Sequence, residues 1–146
     1  MISVSENKSV PDILLVEDNP GDVRLTQEAF RDAKFDARLH IAVDGIEALN
    51  FLRDEESACP DLVLLDLNLP RKNGFDVMKE IRNDPDLIHL PILVLTSSTA
   101  KKDILSSYER YANAYLTKPD DPGSFIELVQ IVEEFWIGNV RLPSCS

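Results

Sequence analysis

The chain has 146 residues, 44% of them hydrophobic and 28% charged, with a formal net charge of −11. That length supports one domain with a real core and not two of ordinary size. The acidic balance argues against nucleic acid and against anionic membrane as partners, because both need clustered Lys and Arg. No apolar run reaches membrane-spanning length, and the start, MISVSENKSV, lacks the charged-then-apolar layout of a signal peptide, so a cytoplasmic protein is expected.

The elements follow in chain order. A short apolar run at 13–16 reads as a strand and ends in Glu17 and Asp18. NPGDVRLTQEAFRDA reads as a helix, with Pro20 in its first turn and Leu25, Ala29 and Phe30 on one face. A second strand is expected over 38–43. Asp44 and Glu47 then form a capping box for a helix carrying Ala48, Leu49 and Leu52. DLVLLD is a third strand ending in Asp66; the Asn73-Gly74 turn precedes a helical stripe of Phe75, Met78 and Ile81. A fourth strand, 92–95, ends at Thr96, before a helix over 100–110 with Ile104, Leu105 and Tyr108. The fifth strand, 114–117, leads into Lys118-Pro119, and Asp121 caps a last helix beginning at Pro122.

Strand and helix thus alternate five times. Continuous apolar strands imply a sheet buried on both faces, an α/β doubly wound parallel sheet with helices on each side. Residues 1–10 and 138–146 read as tails around one domain at 11–137. Cys59 and Cys145 match no metal or redox spacing and are expected to be reduced thiols. His40 and His89 have no paired ligand nearby in the sequence and read as structural.

In an open parallel sheet the carboxyl ends of the strands share one edge, where ligands bind. Glu17, Asp18, Asp66, Thr96 and Lys118 therefore converge there from four separate segments. Carboxylates brought close together repel and call for a cation. An all-oxygen donor set selects a hard divalent ion, Mg²⁺ foremost. Asp66 is then a candidate nucleophile, since aspartyl phosphate is a known covalent form of this side chain, with Lys118 and Thr96 as donors to a phosphoryl group.

Taken in order, VEDN, LLDLNLP…NG, LTSS and YLTKP resemble the receiver domain of bacterial response regulators, the phospho-accepting half of two-component signalling. Nearly the whole chain is covered, and the ordered set is far more specific than any one tetrapeptide. The resemblance implies a flavodoxin-like sheet of order 2-1-3-4-5 and phosphorylation of Asp66 by a sensor histidine kinase. It implies Mg²⁺ held by Asp18, Asp66 and the backbone carbonyl of Asn68, with Glu17 acting through water. It further implies that Thr96 and Tyr115 switch, that Lys118 contacts the phosphate and that the Lys118–Pro119 bond is cis. EDNPGDVRLTQEAF, DILSSYERYANAYLTKP and VEEFWIGNVRLP resemble more narrowly the single-domain regulators paired with bacterial and cyanobacterial phytochrome kinases, which implies a red/far-red light input and a homodimer.

Blander readings and rival functions stand beside this one. Glu17 and Asp18 could merely favour a helix N-terminus, and Lys118 alone could be a surface lysine. A dehalogenase-type phosphohydrolase would need a second Asp two residues beyond its nucleophile; Asn68 stands there and cannot protonate a leaving group. A flavin mononucleotide binder would not place Glu17 and Asp18 in its phosphate loop. A receiver-shaped scaffold that is never phosphorylated would not need the full set. In the last helix, Phe125, Ile126, Leu128, Val129, Ile131, Val132, Phe135 and Trp136 spread over roughly 220° at about 100° per residue, more than one sheet can bury. The excess, Phe135 and Trp136 above all, is expected at a two-fold interface with a second copy.

Overall fold

Each apolar run becomes a strand of one parallel sheet. The computed structural model describes residues 2–4 and 10–145, with side chains for 10–143. In chain order it contains β1 (Ile2–Val4), β2 (Asp12–Val16), α1 (Pro20–Asp32), β3 (Arg38–Ala42), α2 (Gly45–Arg53), β4 (Leu62–Leu65), α3 (Gly74–Arg82), β5 (Ile92–Thr96), α4 (Lys101–Glu109), β6 (Ala114–Thr117), α5 (Pro122–Ile131), a π-helical segment (Val132–Ile137) and β7 (Pro143–Cys145). The large sheet runs β3-β2-β4-β5-β6, with every neighbouring pair parallel. Numbered within that sheet alone, the order is the expected 2-1-3-4-5. The end segments, read as tails, contribute β1 and β7, which pair antiparallel with each other.

The alternation of side chains along a strand explains why the runs are continuously apolar. Leu14, Val16, Val63, Leu65, Ile92 and Val94 face one core layer with Leu49, Val77, Met78 and Ile81 of α2 and α3. Ile13, Leu15, Leu62, Leu64, Leu93 and Leu95 face the other with Phe30 of α1 and Phe125 and Val129 of α5. Four helices start on short polar caps. Asn19, Asp44, Asn73 and Asp121 accept the backbone N–H of Asp22, Glu47, Asp76 and Ser124 at 3.1, 2.8, 3.0 and 2.8 Å. Each such cap contributes about 1 kcal/mol.

The loop between β4 and α3 is held at both ends. Gly74 abuts the Asp66 carbonyl so closely that a Cβ there would lie 2.4 Å from the oxygen. Gly45 abuts Lys72 in the same way, at 2.2 Å from its carbonyl oxygen. Between them Arg71, at φ 63°, pairs with the α2 cap Asp44 at 2.8 Å. At the opposite edge of the sheet Arg82 places all five N–H groups on neutral acceptors: the carbonyls of Ile88, Leu90 and Tyr111 and the Asn113 side chain, at 2.7–3.2 Å. His40, on edge strand β3, meets Asp12 at 2.9 Å beside Arg38, a structural role.

Three features depart from the sequence reading. α4 turns Ser107 inward, with its hydroxyl donating to the Asp103 carbonyl at 2.8 Å, while Leu105 is 61% and Tyr108 47% exposed. A small inward residue lets the helix lie close, and the expected apolar stripe faces out instead. The last helix changes its winding after Ile131: Gly138 N–H and Val140 N–H each reach a carbonyl five residues back, so a period of 100° per residue does not hold there. Trp136 packs on the core, whereas Phe135 is 52% and Ile131 60% exposed. Cys59 is disulfide-bonded rather than a reduced thiol; its spacing in the chain carries no information about a contact made by folding.

Candidate functional site

Parallel register aligns the strand ends. Val16 lies opposite Leu65, Leu65 opposite Val94, and Thr96 opposite Thr117. The next residues therefore leave the sheet together: Glu17 and Asp18 after β2, Asp66 after β4, Thr96 closing β5 and Lys118 after β6. Backbone bonds extend the ladder one step further, from Glu17 N to Ala42 O, Asp66 N to Val16 O and Lys118 N to Thr96 O, at 2.9, 3.0 and 2.8 Å.

Glu17, Asp18 and Asp66 each bring a carboxylate oxygen within 4.8 Å of the others. Glu17 and Asp66 are buried, at 2% and 7% exposure, and Asp18 lies open to solvent. Asp66 Oδ1 accepts the Leu67 N–H at 2.7 Å, and Glu17 Oε2 accepts that of Asn19 at 3.2 Å. Lys118 Nζ donates to Glu17, to Asp22 at 2.9 Å and to Asp66 at 3.1 Å. Burial pushes the Glu17 carboxyl up to about 7, with Asp66 adding to the rise and Lys118 opposing it. Burial by itself would lower the Lys118 ammonium, but its bonds to Glu17 and Asp22 and the charge of Asp66 outweigh that and raise it. Thr96 is fully buried, and its Oγ1 has no hydrogen-bond partner among the described residues. A buried hydroxyl of that kind costs about 1–3 kcal/mol and asks for an acceptor.

The structure brings Glu17, Asp18, Asp66, Thr96 and Lys118 to one edge, as expected. Asn68 lies in the loop after Asp66 with its side chain exposed. Tyr115 stands on β6, and its hydroxyl donates to the Ser98 carbonyl at 2.8 Å, in the loop beyond Thr96; burial raises its pKa. The Lys118–Pro119 bond is trans, like every described peptide bond, and not cis as the resemblance implied. Trans is intrinsically favoured before proline, and Lys118 reaches its three carboxylates from that geometry. The residue missed from the sequence is Asp22. Its signal is faint: a further acid in EDNPGD, on the first turn of a helix whose start faces the same edge.

The donor chemistry fits a hard divalent cation. Two buried carboxylates and one open to water supply only oxygen, and an open side remains for solvent or a ligand.

An open parallel sheet with an acidic cluster, a hydroxyl and a lysine at the carboxyl ends of its strands defines an α/β domain of the doubly wound class with its ligand site at that edge. Residues 13–130 match the response regulator receiver domain, and the chain belongs to that family. It is 44% identical over 136 residues to response regulator Rcp1 of Synechocystis sp., covering 90% of this chain and 92% of the relative. The crystal structure of the Mn²⁺-bound form of Rcp1 superposes with a TM-score of 0.84 over 92% of this chain and 99% of that one, at 43% identity. That of the phosphorylated cyanobacterial phytochrome response regulator RcpA does so with a TM-score of 0.85 at 40% identity, over 92% and 99% of the two chains. A probable methanogenesis regulatory protein, FilR2 of Methanothrix harundinacea, is 37% identical over 134 residues, covering 90% of this chain and 86% of the relative. Receiver domains bind Mg²⁺ or Mn²⁺ at such an acidic site, and they act as signalling proteins rather than catalysts of turnover. Among the described residues no helix is long and apolar enough to cross a membrane.

Proposed function

We propose that this protein is a cytoplasmic phosphorylation switch in which Asp66 accepts a phosphoryl group from a sensor histidine kinase of the phytochrome type. The observation that carries the reading is the fully buried Thr96 hydroxyl, without a hydrogen-bond partner among the described residues, set on the strand beside Asp66 at the edge where Lys118 also stands. An Asp66 oxygen forms the new P–O bond as the P–N bond of the donor phosphohistidine breaks. Lys118 and Thr96 Oγ1 are the donors placed for the transferred oxygens. Asp18, Asp66 and the Asn68 carbonyl, with Glu17 through water, are the groups to hold Mg²⁺, which when bound supplies positive charge to the phosphoryl oxygens. The Asn68 amide is not acidic enough to protonate a leaving group, so the position two residues beyond Asp66 lacks the general acid that a dehalogenase-type phosphohydrolase uses there.

Output follows from protein contact within a 11–137 domain. Thr96 turning to a phosphate alters the loop that holds the Tyr115 hydroxyl through Ser98, and the exposed Leu105 and Tyr108 of α4 lie beyond that loop. A homodimer through the last helix suits the exposed Ile131 and Phe135, with Trp136 supporting them from the core side at 5.5 Å between the Phe135 and Trp136 rings. The phytochrome pairing is supported by the likeness to RcpA. The test is intact mass after incubation with Mg²⁺ and acetyl phosphate, run beside Asp66→Asn. One phosphoryl group on the native chain alone is expected. No addition with any donor or divalent metal would overturn the switch.

A further inference from the structure

Lys118 is surrounded by more negative charge than a phosphoacceptor site requires. Its ammonium has three N–H groups, and all three are taken: by Glu17, by Asp66 and by Asp22. Glu17 and Asp66 belong to the metal-competent cluster with Asp18, and Asp22 does not. It comes from the first turn of α1, where its own N–H is fixed on the Asn19 cap, and its carboxylate reaches back over the edge to Lys118. The lysine is 9% exposed and Asp22 35%, so Asp22 closes the ammonium on its solvent side.

We infer that Asp22 is a positioning residue for phosphoryl binding at Asp66: a counter-ion that draws the Lys118 ammonium toward α1 and so limits how firmly the site holds a phosphoryl group. The inference rests on the reading of Asp66 as the phosphoacceptor. Its physical basis is that the two ligands of the site have opposite charge. Four carboxylates against one ammonium make the edge strongly anionic, which attracts a divalent cation and repels a phosphoryl dianion. Glu17, Asp18 and Asp66 face the cation themselves. Asp22 acts only through charge and through Lys118. Without its charge, the cation loses an attraction and meets a Lys118 freer to compete for Glu17 and Asp66. The phosphoryl group loses a repulsion and gains a Lys118 donor that Asp22 no longer holds. A defect in folding or packing weakens both ligands together; loss of this counter-ion separates them in sign.

The experiment is calorimetric titration of the full chain with Mg²⁺ alone, then with beryllofluoride, a phosphoryl analogue, at saturating Mg²⁺. Native protein is compared with Asp22→Asn, which keeps the shape and removes the charge, and with Glu28→Gln, which removes a charge from the exposed Arg24 pair on the same helix. For Asp22→Asn the Mg²⁺ dissociation constant is expected to rise about three- to tenfold and that of beryllofluoride to fall by a similar factor. Glu28→Gln should move neither beyond twofold, roughly the residue of screened surface charge. Weakening of both ligands in Asp22→Asn, or no change in either, overturns the assignment. If the native chain binds Mg²⁺ but takes neither beryllofluoride nor a phosphoryl group, the phosphoacceptor reading itself falls, and the role of Asp22 falls with it.

Discussion

Gly74→Ala should damage the fold and the metal site together, because the added methyl meets the backbone of Asp66 itself. Its Cβ would lie 2.4 Å from the Asp66 carbonyl oxygen and 2.8 Å from Leu67 Cα. A tolerable carbon–oxygen approach is about 3.3 Å, so the two segments must part by about 0.9 Å. Both obstacles are backbone, which places the cost near the top of the usual overpacking range, about 3 kcal/mol. Gly74 has no positive φ, so space and not backbone conformation is the cause. Gly45→Ala is the matched control. Its Cβ would lie 2.2 Å from the Lys72 carbonyl oxygen and 2.7 Å from Val77 Cγ2, a clash at least as severe at the far end of the same loop. Urea unfolding in EDTA should show similar destabilisation for both. Mg²⁺ titration should show about tenfold weaker binding for Gly74→Ala, since a site tolerates displacements of only about 0.5 Å, and about twofold or less for Gly45→Ala. A Gly74→Ala protein within about 0.5 kcal/mol of native, binding Mg²⁺ normally, would refute the reasoning.

Two further outcomes are expected. In metal-free protein Glu17 has its carboxyl raised from 4.5 to about 7, so between those values the folded state holds a proton that the unfolded chain has lost. Stability in EDTA should therefore fall as pH rises through that window, by at most about 3 kcal/mol. The slope should vanish in Glu17→Gln and reverse with Mg²⁺, whose binding releases the proton; a flat profile in EDTA would contradict this. Arg82→Ala removes five hydrogen bonds from four carbonyl or amide oxygens that join α3 to the segments flanking β5. It should cost about 2–4 kcal/mol by urea melt, and Arg82→Lys should not rescue it, because an ammonium cannot present the same fork. Rescue by lysine would mean that charge, not geometry, is what the site uses.

Much of this architecture was legible because the strands are continuous apolar runs and each ends in a polar residue. A two-sided sheet leaves no other place for Glu17, Asp66, Thr96 and Lys118 than its edge, and the caps Asp44 and Asp121 mark where two of the helices begin. What escaped the sequence depends on contacts between segments far apart in the chain. Asp22 is an ordinary first-turn acid until Lys118, distant in sequence, arrives beside it. The Arg82 knot has no motif, because its acceptors are mostly backbone carbonyls, which every residue carries. Leu105 and Tyr108 have the spacing of a buried stripe; the helix is rotated instead by Ser107, whose hydroxyl satisfies itself within its own turn. The change of winding after Ile131 is likewise invisible to a 100° count.

The same features make the site costly to keep without a ligand. Three carboxylate oxygens stand within 4.8 Å, one buried carboxyl is pushed toward neutrality, and a fully buried hydroxyl lacks a partner among the described residues. For a domain whose net stability is about 5–15 kcal/mol, even about 1–3 kcal/mol for the Thr96 hydroxyl is a sizeable share. A sequence selected for stability alone would replace Thr96 with Val and one acid with Asn. On the proposed function the ligands reverse each term: a cation would stabilise the acids, and a phosphoryl oxygen would give Thr96 its acceptor. Whatever free energy is lost in the unliganded fold is therefore recovered as preference for the liganded one, and binding at 100 times the dissociation constant adds about 2.7 kcal/mol. That is enough to move an equilibrium of the surrounding loops by roughly two orders of magnitude, provided the liganded arrangement alone makes those contacts. On the proposed reading, the free energy that this edge gives up in the fold is the physical source of a switch.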